Sequence, residues 1–210
     1  MDANPATPKP FTKPPEGMTT TTAKTPYVPQ RGETLRLHIG GEVVKDGWKI
    51  VNIQYMEGVV DFLGSATDLS AFADETVEEV YASHIYEHLD YKDELAQAMS
   101  EAFRVLKPGG ILRAGVPDLD VLCRLMIDTR LDVEAKFYIQ RMMFGGHVDD
   151  FDYHYVGLTM DIFGNYLWAA GFRNIRRVPE FGLFEDATNI KFMGVPISLN
   201  VVAMKPVSKE

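Results

Sequence analysis

The residues that decide the fold run from Tyr81 to Asp120 and read YASHIYEHLDYKDELAQAMSEAFRVLKPGGILRAGVPDLD. An apolar strand ends at Ser83, a segment with apolar residues at helical spacing follows, and a second apolar strand covers residues 111–116. Two strands that flank one helix form a parallel crossover unit. Small molecules bind outside the carboxyl ends of such strands, because helix N-termini and loop amides converge there. The stretch therefore predicts an α/β fold with a site at the ends of its strands.

Composition limits the kind of protein that this chain encodes. Its 210 residues, 46% of them hydrophobic, can bury one substantial core. A formal net charge of -9 argues against a nucleic-acid partner, because phosphate backbones are bound by clustered Lys and Arg. No run of about 18 apolar residues and no secretory signal is found, so the sequence predicts no membrane span and a cytoplasmic location. Cys123 stands among apolar residues, which predicts a buried and unreactive thiol.

Two segments of different character divide the chain. Residues 1–31 are rich in Pro and Thr and poor in aliphatic residues, which predicts a flexible tail without a core of its own. Such a tail is a candidate for contacts with a partner or with a second copy of the chain. Residues 32–210 are predicted to form one domain.

The first half of this domain has little room for helices. Period-two alternation predicts a strand at 35–39, and further strands are predicted at 48–53 and 59–62. The connections between them are too short for helical crossovers, so the N-terminal half is expected to be compressed. The other predicted elements are strands at 77–83, 111–116, 174–181 and 196–204 and helices at 91–106, 119–127, 132–143 and 159–171.

Several motifs resemble the class I S-adenosylmethionine-dependent methyltransferases of the type 11 group. They follow the order that this group shows, over roughly residues 35 to 205, and are Leu37–Gly41, Gly47-Trp48, Asp68-Leu69, Tyr81–Leu89, Arg104–Gly110, Val116–Leu119 and Ala170–Phe172. The resemblance implies a Rossmann-like sheet, mostly parallel, with a reversed C-terminal hairpin. It also implies S-adenosylmethionine as the cofactor.

Residues for the cofactor follow from the same resemblance, with three departures from the family pattern. Glu42 stands where a further glycine is usual, Gln54 replaces the acidic residue that accepts two ribose hydrogen bonds, and Ser65 replaces the acidic residue near the adenine. Glu42 either offsets the sulfonium charge or fills the space of the ligand. The predicted cofactor-binding residues are Gly40, Gly41, Glu42, Gln54, Ser65, Ala66, Asp68, Leu69 and Ser83.

Histidines that follow the predicted strands are the candidates for catalysis. Methyl transfer requires that donor and acceptor lie in line and that an acceptor hydroxyl loses its proton. Imidazole titrates near neutrality, so His88 and His154 are candidate bases. The resemblance favours His154 as the group on the substrate side, with Glu87 in a positioning role. A capping or hydrogen-bonding role for Glu87 and His88 is the alternative.

The loop at residues 145–154 carries His147, Asp149, Asp150, Asp152 and His154, but their spacing matches no defined ligand loop, so no metal is predicted. The sequence favours an O-methyltransferase acting on a small molecule or on a sugar or glycan precursor, the acceptor class resting on analogy. The alternative is a methyltransferase-like binding or scaffold protein with a degenerate cofactor site. A nicotinamide-dependent oxidoreductase is disfavoured, because no Gly-x-Gly-x-x-Gly follows the first strand.

Overall fold

The computed structural model describes residues 18–20, 26–30 and 32–207. Its strands are β1 (Arg36–Ile39), β2 (Lys49–Asn52), β3 (Phe62–Leu63), β4 (Val77–Ser83), β5 (Leu106–Pro117), β6 (Arg173–Val178), β7 (Lys191–Phe192), β8 (Val195–Pro196) and β9 (Ser198–Met204). The described residues form a seven-stranded sheet in the order β3-β2-β1-β4-β5-β9-β6 and a separate β7-β8 hairpin. The neighbouring strands β3, β2, β1, β4 and β5 pair in parallel. Strand β9 runs antiparallel to both β5 and β6. The predicted Rossmann-like sheet with a reversed C-terminal hairpin is confirmed.

Four helices accompany this sheet in the described residues: α1 (Glu94–Val105), α2 (Leu119–Met126), α3 (Val133–Phe144) and α4 (Met160–Ala169). The apolar stripe of α1 is fully buried in the main core. Thr159 caps α4, since its hydroxyl accepts the Ile162 N–H at 3.3 Å. The run Lys107–Gly110, predicted as a stop between helix and strand, instead lies within β5, which begins at Leu106 because that residue pairs with Val77.

The compressed N-terminal half is also present. No helix lies between β1 and β4 in the described residues, so one face of the sheet needs another cover. The segment between β6 and β7 provides it, with Phe184 packed against Trp48 and Tyr81. The Tyr81 hydroxyl donates to Asp186 at 2.7 Å. His38 lies inside this aromatic cluster, with its ring centroid 4.3 Å from that of Phe184.

Helix α1 holds the loop between β3 and β4. Arg104 donates hydrogen bonds to the carbonyl oxygens of Phe72 and Leu69, at 2.9 and 3.0 Å. Glu101 accepts the Leu69 N–H at 2.7 Å and also pairs with Arg104. The part of the loop that follows Ser65 is therefore held by α1.

Part of the predicted tail lies on the domain. The Tyr27 N–H donates to the Ala71 carbonyl at 2.5 Å, and its ring packs edge-on against Phe62. Residues 18–20 and 26–30 are the described part of the 1–31 segment, and the rest lies outside the described residues. The boundary between tail and domain stays a prediction.

Composition gives expectations for the burial of Cys123 and for membrane-spanning helices. Cys123 is exposed, so the prediction of a buried thiol is wrong. Helix α2 turns its apolar stripe towards the core, and Cys123 lies outside that stripe. None of the helices in the described part of the chain is long and apolar enough to cross a membrane.

His38 makes the stability of the fold depend on pH. Burial lowers the pKa of His38 from its ordinary value of 6.5 to about 4. Between these two values the unfolded chain binds a proton that the folded chain excludes, so stability is lost as the pH falls. We expect the free energy of unfolding to fall by about 2 kcal/mol more in the wild type than in His38→Leu between pH 8 and pH 5. Chemical denaturation at both pH values measures it.

The exposed His147 offers the control for this experiment. His147→Leu should lose stability with falling pH as the wild type does. An equal pH dependence in the wild type and His38→Leu would contradict the assignment.

Candidate active site

A cavity of about 830 Å³ opens beyond the carboxyl ends of β1, β2 and β3, which is within the roughly 300–1,000 Å³ of small-molecule sites. One wall follows the first strands, and the other comes from the segment after β4 and from the loop between α3 and α4. The lining residues are Ile39, Gly40, Glu42, Val51, Asn52, Ile53, Gln54, Gly64, Ser65, Ala66, Ile85, His88, Leu89, Asp90, Glu94, Val148, Asp149, Asp150, Phe151, Asp152 and Tyr155. We call this the first cavity.

The bend after β1 is closely fitted to its surroundings. Gly40 has a φ of +70°, and a Cβ atom at this position would lie 1.9 Å from Cδ1 of Ile85. Behind the bend, the buried Asn52 donates to the Gly41 carbonyl at 3.2 Å and accepts the Gln54 N–H at 2.9 Å. One amide side chain thus joins the bend after β1 to the turn after β2. Asn52 was not predicted, although a polar residue at the end of an apolar strand was the signal for it.

Five of the nine residues predicted for the cofactor line the first cavity: Gly40, Glu42, Gln54, Ser65 and Ala66. One of the two predicted roles of Glu42 is to fill the space of the ligand, and the structure does not show this role. Its side chain is exposed at the wall, and the cavity beside it is open.

The other four predicted residues do not reach this wall. Leu69 is fully buried in the core, and its N–H is held by Glu101. Asp68 lines a separate depression on the other side of the same loop, because this clamp turns the loop away from the first cavity. Gly41 lies behind the bend, where a Cβ atom would be 2.6 Å from the His38 ring. Ser83 ends β4 outside the cavity lining.

The charge of the first cavity is one-sided. Carboxylates line it from three parts of the chain, and no lysine or arginine is among the described residues of its wall. The acidic residues are Glu42, Asp90, Glu94, Asp149, Asp150 and Asp152. A cavity lined by one sign of charge concentrates ligands of the opposite sign, so this one favours a cation.

A second cavity of about 340 Å³ adjoins the first, and Asp152 lines both. It lies between α3, the end of β5 and the β7-β8 hairpin, and its lining residues are His84, Pro117, Tyr138, Arg141, Met142, Gly145, Gly146, Asp152, His154, Ile190, Phe192 and Ile197. His88 lines the first cavity and His154 the second. Their rings are perpendicular, with centroids 4.7 Å apart. The two predicted histidines therefore meet at the boundary between the cavities.

Backbone hydrogen bonds bring these histidines together from distant parts of the chain. The Glu87 carbonyl accepts the Tyr155 N–H at 2.8 Å, and the His154 N–H donates to the Phe144 carbonyl at 3.1 Å. The His88 ring bonds through Nδ1 to the Tyr153 carbonyl at 3.0 Å. Because a carbonyl only accepts, His88 Nδ1 carries the proton and Nε2 offers a lone pair.

Glu87 is the most unusual group of the site. Only 1% of its surface is exposed, and neither carboxyl oxygen has a hydrogen-bond partner among the described residues. Oε1 lies 3.3 Å from Nδ1 of His84. The other ring nitrogen of His84 bonds to Ser198 Oγ, whose own hydrogen goes to the Ala187 carbonyl, so His84 Nδ1 is an acceptor. Two acceptors that face each other require a proton or a cation between them.

Burial dominates the protonation of the whole cluster. It raises the pKa of Glu87 to about 8 and lowers the pKa of His84 to about 4. Burial also lowers the pKa of His154 to about 4, with a further contribution from His88, and it lowers the pKa of His88 itself. Near neutral pH the imidazoles are therefore uncharged.

A known protein family matches the part of the chain that forms one wall of the first cavity. Residues 25–114 match the family of methyltransferase domains. This part of the chain, somewhat under half of its length, is similar to the class I S-adenosylmethionine-dependent methyltransferases. The matched residues include the strands that bound the first cavity, and the methyl donor of this family is S-adenosylmethionine. None of the curated proteins matches the sequence at a significant level.

Solved structures with the same fold include one from a bacterium and two from archaea. A possible exported protein of Bordetella parapertussis is 14% identical with a TM-score of 0.53, covering 86% of this chain and 63% of its own. The putative methyltransferase in complex with the Trm112 methyltransferase activator of Haloferax volcanii is 12% identical, with a TM-score of 0.51. The match covers 90% of this chain and 88% of that one. A SAM-dependent methyltransferase of Archaeoglobus fulgidus is 17% identical, with a TM-score of 0.51. The match covers 83% of this chain and 87% of that one. At these identities the likeness shows the fold.

The residues of the first cavity fit S-adenosylmethionine. Gly40 leaves the backbone bare at the bend, and Gln54 and Ser65 offer polar atoms at successive strand ends. The surrounding carboxylates suit the sulfonium and the ammonium group of this ligand. When bound, S-adenosylmethionine supplies an activated methyl group.

Gly40→Ala tests the close fit of the bend. The new methyl group would displace Ile85, which lines the same cavity, so affinity for S-adenosylhomocysteine should fall at least tenfold. Gly58 is a matched control, because its φ is +71° and no atom of the described residues lies within 4 Å of a Cβ there. Gly58→Ala should carry only the backbone cost of about 1 kcal/mol and leave affinity unchanged. Calorimetric titration of both variants measures the difference, and equal affinities would contradict the fit.

Proposed function

We propose that this protein transfers a methyl group from S-adenosylmethionine to an oxygen atom of a small molecule or of a sugar or glycan precursor. The donor occupies the first cavity and the acceptor the second. The observation that carries this proposal is the junction of the two cavities, which share Asp152 and meet where His88 and His154 are in contact. Donor and acceptor held on either side of such a junction satisfy the main requirement of methyl transfer, which is alignment.

The second cavity supports a compact acceptor with both apolar and polar faces. Tyr138 and Phe192 give it aromatic surface, and Arg141 and Asp152 give it charged groups of both signs. A sugar ring has this character, since its C–H faces pack on aromatic rings and its hydroxyls bond to polar side chains. A volume of about 340 Å³ holds one such ring with a substituent.

His154 is the proposed proton acceptor in this reaction. It borders the acceptor cavity, and uncharged imidazole can take the proton that an acceptor hydroxyl loses. Glu87 and His88 position it, because the Glu87 carbonyl holds the adjoining Tyr155 and the His88 ring packs edge-on against the His154 ring. The cytoplasmic location and the partner contacts of the N-terminal segment stay predictions.

Two ligands that differ in one charge test the placement of the donor. S-adenosylmethionine carries the sulfonium charge and S-adenosylhomocysteine does not. If Glu42 lies near the sulfur, Glu42→Gln should weaken the first ligand several-fold more than the second, as measured by calorimetric titration. The exposed Glu57, outside the cavity lining, serves as the control through Glu57→Gln.

Equal weakening of both ligands would place Glu42 away from the sulfur. A wild-type protein that binds neither ligand at millimolar concentration would contradict the proposed enzyme and favour the binding or scaffold alternative.

The acceptor side is tested by transfer of a labelled methyl group to separate pools of nucleotide-activated sugars, phenols and amines. We expect label in hydroxyl-bearing acceptors, and we expect His154→Ala to lower turnover at least a hundredfold with little change in S-adenosylhomocysteine affinity. His147→Ala, in the same loop but outside both cavity linings, should keep turnover near the wild-type value. Label found only in the amine pool would overturn O-methylation, and equal loss of turnover and affinity would overturn the role of His154.

A further inference from the structure

We propose that Glu87, His88 and His154 form a binding site for one divalent transition metal ion of the zinc type. The site lies at the boundary between the two cavities. Its existence does not depend on the proposed methyl acceptor or on the methyl-transfer reaction.

The three side chains converge. One ligand atom from each, a carboxylate oxygen and two imidazole nitrogens, lies within 4.8 Å of the other two. Ligand atoms around a tetrahedral zinc ion are about 3.4 Å apart, since each bond is about 2.1 Å long. Inward rotations of about 1 Å would therefore close the site, and the two histidines, which are only half-buried, have room for them.

Two members of the cluster also have buried polar atoms without hydrogen-bond partners among the described residues. Both carboxyl oxygens of Glu87 and Nδ1 of His154 are buried without a hydrogen bond among the described residues. A buried polar atom without a partner costs free energy, because its bond to water is lost and not replaced. Coordination of an ion would satisfy a Glu87 oxygen and, if it is the ligand atom, the His154 nitrogen as well.

Neighbouring groups orient two of the three ligands. His88 gives its Nδ1–H to the Tyr153 carbonyl, and a backbone carbonyl in this position is a common partner of a metal-bound histidine. This bond fixes the ring and leaves Nε2 free. His84 lies 3.3 Å from the Glu87 carboxyl and limits its rotation.

The ligand types indicate the class of ion. Two imidazoles and one carboxylate suit zinc, cobalt and related divalent ions, whereas magnesium and calcium take mainly oxygen ligands. Three protein ligands leave a fourth position for water or a ligand. Of the three residues, His88 lines the first cavity and His154 lines the second. The acidic loop cluster weighed from the sequence is a different set, because only His154 is common to both.

A nitrogen atom that binds an ion cannot accept a proton at the same time. The proton-accepting role of His154 therefore belongs to the metal-free protein, and the two states are separable by experiment.

The test uses the full chain, stripped of metal with a chelator and then titrated with Co²⁺ and with Zn²⁺. No methyl donor or acceptor is present, so the outcome is independent of the proposed function. We expect one equivalent of Co²⁺ to give the intense visible absorption of a site with fewer than six ligands, and Zn²⁺ to displace it. His88→Asn, His154→Asn and Glu87→Gln should each lower the affinity at least a hundredfold.

His147→Asn is the matched control, since this histidine stacks on Tyr153 in the same loop but is outside the cluster. It should bind Co²⁺ as the wild type does. Circular dichroism confirms that each variant is folded, and saturating Zn²⁺ should raise the unfolding midpoint of the wild type and of His147→Asn but not of Glu87→Gln. No stoichiometric binding by the wild type, or equal binding by the wild type and all three cluster variants, would overturn the site.

Discussion

The backbone carbonyl of Glu87 accepts hydrogen bonds from the amides of Tyr155 and Val156, at 2.8 and 3.3 Å, and the arrangement of the two cavities depends on this contact. The loop between α3 and α4 lacks regular structure over most of its length, so its position is set where it is attached. At its start Gly145 packs against the Asp152 backbone, where a Cβ atom would lie 2.2 Å from the carbonyl oxygen. Attachment to the end of β4 then places this loop over both cavities at once.

The predictable part of this fold came from local patterns. A strand that ends in polar residues, a helix with one apolar stripe and a glycine pair after β1 each reveal themselves over short stretches of sequence. Gly40 and Gln54 directly follow strand ends, and both line the first cavity. Their role in binding the cofactor comes from the resemblance and stays a prediction. Strand order and the reversed hairpin came from the resemblance, because periodicity alone does not determine which strands pair.

The contacts that sequence patterns do not reveal join residues far apart in the chain. Asp68 turns away from the first cavity because the following residue is clamped by Glu101, which is more than 30 positions further along the chain. Asp150 and Phe151 reach the same cavity from a loop about 100 residues beyond β2. Phe184 covers His38 from the opposite end of the chain, and no helical or strand period marks it as core. Sequence patterns lack information on such contacts.

The backbone and the side chain of Glu87 have different roles. Its carbonyl holds the loop, and any side chain at position 87 would leave that carbonyl in place. Its carboxyl has no hydrogen-bond partner among the described residues, and burial of a polar group in that state is unfavourable. A buried carboxyl without a hydrogen-bond partner among the described residues, placed beside three imidazoles, indicates a role in what it binds or positions there.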